Sequence, residues 1–305
     1  MILVIGATSF IGQIVVRKFL ENNFSVRCLI RTDSNTEKLK AYLSSYFEDN
    51  SYLENKNPNL EFTSGNLLSP DSIYHSLKNI EAVVYLIDLK YTNYIKGLLD
   101  VLAKTNIKRV VFLGSTTVLV PIESPVKQAK IESEKLIEKS NLDWTILRAS
   151  MIYGSLDDGN FSSMINFILK KGYFVVFGKG NNLIQPIYIE DVANSILFVL
   201  KNKTTFKKIY TICGPKPIKY IDMLKTVQLL LGRNFKIIKL PAKLSRAFVS
   251  LYCKINKNSK LTPDMIDRIQ IDKTYDFMGA VADFNFNPIS FEEGLAKLIK
   301  LIKNQ

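Results

Sequence analysis

The chain has 305 residues, 41 Lys and Arg against 28 Asp and Glu, and a net charge of +13, a length that suits one large α/β domain with a smaller lobe. Three distant cysteines (Cys28, Cys213, Cys253) and a single histidine, His75, exclude a disulfide framework and a His-rich metal site. No apolar stretch approaches the roughly 20 residues that span a bilayer, and no secretory segment precedes the apolar run at residue 2, so a reducing, cytoplasmic setting is expected.

Met1–Ile5 is apolar, Gly6-Ala7-Thr8-Ser9-Phe10-Ile11-Gly12 is a glycine-framed turn, and Gln13–Leu20 has helical spacing. A second apolar run, Ser25–Ile30, ends at Arg31. Strand, tight turn, helix and strand make the βαβ unit that grips dinucleotides. Gly6 lets the chain leave the strand sharply, Gly12 lets the helix pack close, and the free N–H groups at the helix start face a pyrophosphate. Ser9 stands at the middle glycine position, small enough for a phosphate to approach and with a hydroxyl available to donate to it. Thr8, Phe10 and Ile11 complete the expected contact set. Many such folds carry an acid where the second strand ends beside the adenosine ribose. Arg31 occupies that position here, and a guanidinium suits a 2′-phosphate, so NADP(H) is favoured over NAD(H).

Strand-length apolar runs then alternate with amphipathic segments. Asn35–Asn59 is polar and reads as a helix plus a flexible loop. Leu60–Thr63 is a strand leading into Gly65-Asn66-Leu67 and a helix from Asp71, and His75 falls on a surface helix. Glu81–Ile87 is a buried strand, Tyr94–Thr105 a helix, Arg109–Leu113 a strand, Gln128–Ser140 a helix, and Trp144–Leu147 and Tyr210–Cys213 further strands. Non-alternating apolar strands separated by helices imply a Rossmann-type, doubly wound parallel sheet covered on both faces, with a smaller C-terminal substrate or partner lobe. Residues 1–200 are expected to form the dinucleotide-binding domain, with an insertion at 154–185. Residues 201–305 form the lobe, with about 208–214 returning to the sheet.

Charge is uneven: residues 201–260 hold 15 Lys and Arg against one acid, Asp222. The segment suits an anionic membrane face or an acidic protein; a merely solvated surface is the plainer alternative. No nucleic-acid module accompanies it, and no nucleic-acid partner is expected. Within it Leu240, Leu244, Phe248, Leu251, Tyr252 and Ile255 recur at helical spacing after Pro241, with Lys243, Arg246 and Lys254 off the stripe. Such a helix either lies on a membrane surface or packs on its own domain.

The sequence resembles the short-chain dehydrogenase/reductase superfamily in its extended or atypical form, over nearly the whole chain. The resemblance rests on the Gly6–Gly12 turn, Gly65-Asn66-Leu67, Phe112–Thr117, Asp143–Gly154, Gln185–Ala193 and Phe286–Phe291. Gln185-Pro186-Ile187-Tyr188-Ile189-Glu190-Asp191-Val192-Ala193 is most similar to the atypical group containing NmrA-like proteins and the NADPH-binding accessory subunit of complex I. The chain is also similar to nucleotide-sugar epimerases and dehydratases.

Active members of that superfamily carry Tyr-x-x-x-Lys on a helix and Ser or Thr on the preceding strand. The resemblance assigns Ser115 to the serine and Lys130 to the lysine, but Val126 stands at the tyrosine. A hydrocarbon has no proton to give, and losing a general acid costs about 10²–10⁴ in rate. Glu123, Lys127 and Tyr153 are candidate substitutes, and Lys130 is expected to hold the cofactor ribose unless it is an ordinary solvated helix lysine. Asn66 replaces the aspartate that meets the adenine, Ile87 lies on the bulky wall Tyr85–Asp88, and Ile184 and Gln185 stand where nucleotide-sugar enzymes commonly have arginine. Three readings follow: a cofactor-binding structural, regulatory or sensing protein; an NADP(H)-dependent oxidoreductase, epimerase or dehydratase with a substitute acid; and an assembly factor peripheral to a membrane.

Overall fold

A computed structural model describes residues 1–54, 56–256 and 263–304. Eleven elements alternate first: β1 (Ile2–Ile5), α1 (Phe10–Glu21), β2 (Val26–Ile30), α2 (Glu37–Phe47), β3 (Leu60–Ser64), α3 (Pro70–Tyr74), β4 (Ala82–Tyr85), α4 (Thr92–Leu102), β5 (Arg109–Ser115), α5 (Pro125–Glu138) and β6 (Asp143–Ala149). Next come β7 (Ile152–Tyr153), α6 (Phe161–Lys171), β8 (Tyr173–Phe177), β9 (Leu183–Ile184), β10 (Ile187–Tyr188), α7 (Ile189–Lys201) and β11 (Lys208–Ile212). The remainder is β12 (Ile218–Lys219), α8 (Tyr220–Leu231), β13 (Lys236–Leu240), α9 (Ala242–Ile255), α10 (Pro263–Ile269), α11 (Met278–Phe284) and α12 (Phe291–Lys303).

The chain divides into two units, each assembled from three separate stretches. Unit one holds residues 1–150, 189–212 and 277–287; unit two holds 151–188, 213–276 and 288–305. The reason is pairing. β11 joins β6 in parallel register, Lys208 opposite Thr145 through Ile212 opposite Ala149. α11 then covers β11 through Phe284, whose ring meets Tyr210 edge-on at 5.2 Å.

Unit one is built on a seven-stranded sheet in the order β11-β6-β5-β4-β1-β2-β3, every neighbour parallel. The order reverses between β1 and β4, the switch point outside which ligands of open α/β sheets bind. β1 and β4 are buried at all four positions, as a strand with helices on both faces must be. Tyr85 is fully buried among Leu98, Phe112 and Ile146, and its hydroxyl finds no partner among the described residues. Arg109 is buried and donates to the carbonyls of Leu200, Asp143 (2.6 Å) and Val199 and to Thr145 Oγ1 (2.9 Å). Burial lowers its pKa to about 10, so it stays cationic at neutral pH.

Unit two contains three two-stranded pairings: β7 with β10, β9 with β12 and β8 with β13. Its centre is aromatic. Tyr153 lies 5.0 Å from Phe161, 5.3 Å from Phe291 and 5.7 Å from Tyr188, centroid to centroid. Gly294 lets α12 approach: a Cβ there would sit 2.2 Å from the Tyr153 hydroxyl oxygen.

α9 forms where the stripe predicts it, but the stripe is not packed away. Leu244 is 68% exposed and Phe248 71%, while Ser245 and Val249 face inward. Leu240, Leu251 and Tyr252 are exposed as well. The side chains of Cys253, Lys254 and Ile255, and residues 257–260 of the basic segment, lie outside the described residues. No described helix is long and apolar enough to cross a membrane.

Candidate dinucleotide site

The turn after β1 closes as the glycines predict. Gly6 has φ +91°, and a Cβ on Gly12 would fall 2.2 Å from the Gly6 carbonyl oxygen. Any larger residue at 12 therefore forces the helix off the turn. Ser9 caps α1, but its hydroxyl is committed: it donates to the Gly6 carbonyl (2.7 Å) and accepts from the Gly12 N–H (3.1 Å). Its proton points into the turn, toward the Gly6 carbonyl. The N–H groups of Phe10 and Ile11 open the helix, where no intrahelical acceptor exists, and their positive end suits a pyrophosphate. The Thr8 carbonyl accepts from Gln13 Nε2 (3.4 Å).

Beyond the ends of β2 and β3 lies a cleft of about 460 Å³ lined by Arg31, Asp33, Gly65, Asn66 and Tyr94, among others. The structure thus brings Arg31 and Asn66 to one cavity. It also adds Asp33, whose Oδ1 is 3.5 Å from Arg31 Nε, both side chains being well exposed. Sequence reasoning passed over this acid two residues past the expected position. The Asn66 side chain turns back on its own loop, its Oδ1 accepting from the Leu68 N–H at 3.0 Å. Leu67 points away from the cleft into the main core. Ile87 packs against the glycine turn, its Cγ1 within 3.4 Å of where a Gly6 Cβ would be.

The proton-transfer positions fall on β5 and α5. Ser115 Oγ lies 2.9 Å from Thr117 Oγ1 and accepts from the Thr117 N–H, capping a short turn. Val126 is the second residue of α5 and is 41% exposed. One turn on, Lys130 is buried and its ammonium is 2.6 Å from Asp88 Oδ1. Burial pushes the Asp88 carboxyl up, but hydrogen bonds from Lys130 and the Lys90 amide outweigh it and hold it below the usual carboxylate range. Lys130 is therefore not an ordinary solvated lysine. Asp88 is the second acid that sequence reasoning missed; it stands three residues past β4, with nothing local to mark its distant partner.

The three substitute acids are engaged elsewhere. Lys127 binds Glu123 (2.7 Å) and the Val120 carbonyl (2.9 Å), and the hydrogen bonds that Glu123 accepts from Lys127 and Gln128 hold its exposed carboxyl below the usual range. Tyr153 belongs to unit two, where its hydroxyl donates to the Phe291 carbonyl at 3.2 Å. Gln185 is likewise structural, bridging the Gly214 carbonyl (2.7 Å) and the Tyr275 N–H (2.8 Å). No group of three or more His, Cys, Asp or Glu able to hold a metal occurs among the described residues. Cys28 and Cys213 are buried, which raises both thiol pKa values.

A doubly wound sheet, a glycine-closed helix N-terminus at its switch point, and a buried lysine one turn after Val126 define a dinucleotide-binding α/β protein. The chain belongs to the NAD dependent epimerase/dehydratase family, whose sequence profile spans residues 2–213. Nicotinamide dinucleotide binding goes with that family.

Among curated relatives, the chain is 24% identical over 253 residues to the photosystem II assembly factor Ycf39 of Cyanophora paradoxa, covering 79% of this chain and 71% of that protein. It is 26% identical over 250 residues to a putative UDP-glucose 4-epimerase of Methanocaldococcus jannaschii, covering 69% and 77%. It is 23% identical over 193 residues to the Arabidopsis thaliana mitochondrial NADH dehydrogenase (ubiquinone) 1 alpha subcomplex subunit 9, covering 59% and 48%. A solved dTDP-glucose 4,6-dehydratase of Bacillus anthracis in complex with NAD has the same fold, with a TM-score of 0.76 at 16% identity over 100% of this chain and 96% of that one.

Proposed function

We propose that this protein binds NADP(H) and does not reduce a carbonyl, serving instead as a structural or regulatory subunit that docks an assembling partner. The observation that carries this reading is Val126: the helix position that would present a phenol presents a hydrocarbon, and Glu123, Lys127 and Tyr153 each have another role. In this reading the first turn of α1 binds the pyrophosphate, Arg31 the 2′-phosphate and Lys130, oriented by Asp88, the ribose hydroxyls. When bound, the cofactor supplies a hydride, and no side chain described above supplies the matching proton. Relatives whose names describe an assembly factor and a respiratory-complex subunit support the docking role. The exposed stripe of α9 and the basic surface around it are the docking face, toward an anionic membrane surface or an acidic protein, and the protein is cytoplasmic and peripheral.

The competing reading is a working oxidoreductase, epimerase or dehydratase, supported by Ser115, Lys130 and the epimerase relative. One experiment separates them. NADPH binding is followed by fluorescence, and turnover is assayed with carbonyls and nucleotide sugars. Binding without turnover is expected; turnover that survives Val126→Ala and disappears with Ser115→Ala would establish the enzyme.

A further inference from the structure

Unit two contains a cavity of about 200 Å³ with no role in the reading above. Its wall is mostly hydrocarbon and thioether, with Met151, Met164, Met223 and Ile184, while Asn160, Asn182 and Tyr220 add uncharged polar groups. Met164, Met223 and Ile184 are at most 9% exposed, so the wall is built, not a shallow depression of surface side chains. Lys273 carries the single charge among the lining residues. Its backbone is fixed by an N–H donated to the Leu183 carbonyl at 2.8 Å. The neighbouring acid is engaged, since Asp272 accepts from the Leu183 N–H at 2.7 Å. No carboxylate lies within ion-pair distance of the Lys273 ammonium among the described residues. Burial lowers the Lys273 pKa, and repulsion from the like charge of Arg268 lowers it further.

We infer that this cavity binds an apolar molecule carrying one anionic end group, of the class of a medium-chain carboxylate, with Lys273 receiving the anion. An unpaired, half-buried ammonium in an apolar wall is costly unless an anion joins it. A nucleoside diphosphate brings several negative charges to a wall with one cation. Methionine is flexible and polarisable, and three of them conform to an irregular hydrocarbon body. Polar contacts are few and convergent, the usual plan of a small-molecule pocket. All lining residues belong to unit two, so binding here is measured independently of NADP(H), and either can fail without the other.

The test is isothermal titration of the full chain with decanoate, decanol and uridine diphosphate, each below any micelle threshold. Decanoate is expected to bind, at least about tenfold more tightly than decanol, because a charge-assisted hydrogen bond is lost with the alcohol. Lys273→Met should remove that preference while leaving decanol affinity unchanged, and Lys273→Arg should restore it. The decanoate-to-decanol ratio on the unaltered chain decides the matter even if a variant fails to fold. Equal affinity for the two, binding of neither, or tighter binding of uridine diphosphate than of decanoate would overturn the assignment.

Discussion

At the scale of single residues, two acids alter how the dinucleotide corner works. Asp33 shares the cleft with Arg31. A guanidinium draws a 2′-phosphate and a carboxylate repels it, so in the proposed reading the balance between them sets cofactor choice. Arg31→Asp is expected to weaken NADP(H) far more than NAD(H), and Asp33→Asn to strengthen NADP(H) selectively. Equal changes for both cofactors, read by fluorescence titration, would remove the 2′-phosphate assignment. Asp88 gives a pH signature. Its folded pKa is depressed, so its contribution is present above the ordinary carboxylate value near about 4 and is lost as pH falls through the folded pKa. Melting temperatures of the chain and of Asp88→Asn should therefore differ at neutral pH and converge in acid. A gap that stays constant down to about pH 3 would mean that the Lys130 pair does not carry the effect. Asp88 was not legible in the sequence, because its partner Lys130 is distant along the chain, and Asp33 was passed over because it stands two residues beyond the expected position, beside Arg31. Arg31 and Val126 were legible, since position relative to a strand end or a helical turn defines them.

At the scale of elements, the long strands and helices were readable because their apolar runs are continuous or recur with helical spacing. The edges shifted for local reasons. α5 begins at Pro125, three residues before the expected start, because Ser124 caps it by accepting from the Lys127 N–H and proline fits the first helical position. The two-residue strands β7, β9, β10 and β12 carry no period long enough to detect. α9 was located by its stripe, yet spacing alone cannot tell whether a stripe faces a core or solvent. If it is the docking face, Leu244→Glu with Phe248→Glu should abolish co-sedimentation with vesicles containing anionic lipid while leaving NADPH binding intact. Retained sedimentation of the double variant would shift the docking face elsewhere, and no sedimentation of the unaltered chain would favour an acidic protein partner.

At the scale of the whole molecule, unit one depends on parts distant in sequence. Arg109 on β5 ties the end of α7 to β6 through the Val199, Leu200 and Asp143 carbonyls. A cation at a helix C-terminus is favourable, and several carbonyls lose their donor together when it is removed. Arg109→Met should cost on the order of 3 kcal/mol in denaturant unfolding. A change within about 0.5 kcal/mol, the range of an ordinary surface substitution, would make the network incidental. The doubly wound class was legible from the alternation of apolar runs. The sequence carried an expectation of an insertion at 154–185 and of a return to the sheet at about 208–214, but none for residues 277–287, whose α11 meets β11 through Phe284 and Tyr210 far along the chain.

The chain passes from one unit to the other five times, and the last piece of unit one is residues 277–287. During translation the sheet's final strand emerges only after β7–β10 and α6 have left the ribosome, and the helix that covers it comes later still. β6, which ends at Ala149, therefore waits as a bare edge, with Ile146 beside an absent neighbour, until β11 at Lys208–Ile212 has been made. Newborn copies are thus most prone to pair with one another in that interval, and a truncated transcript leaves the hazard permanent.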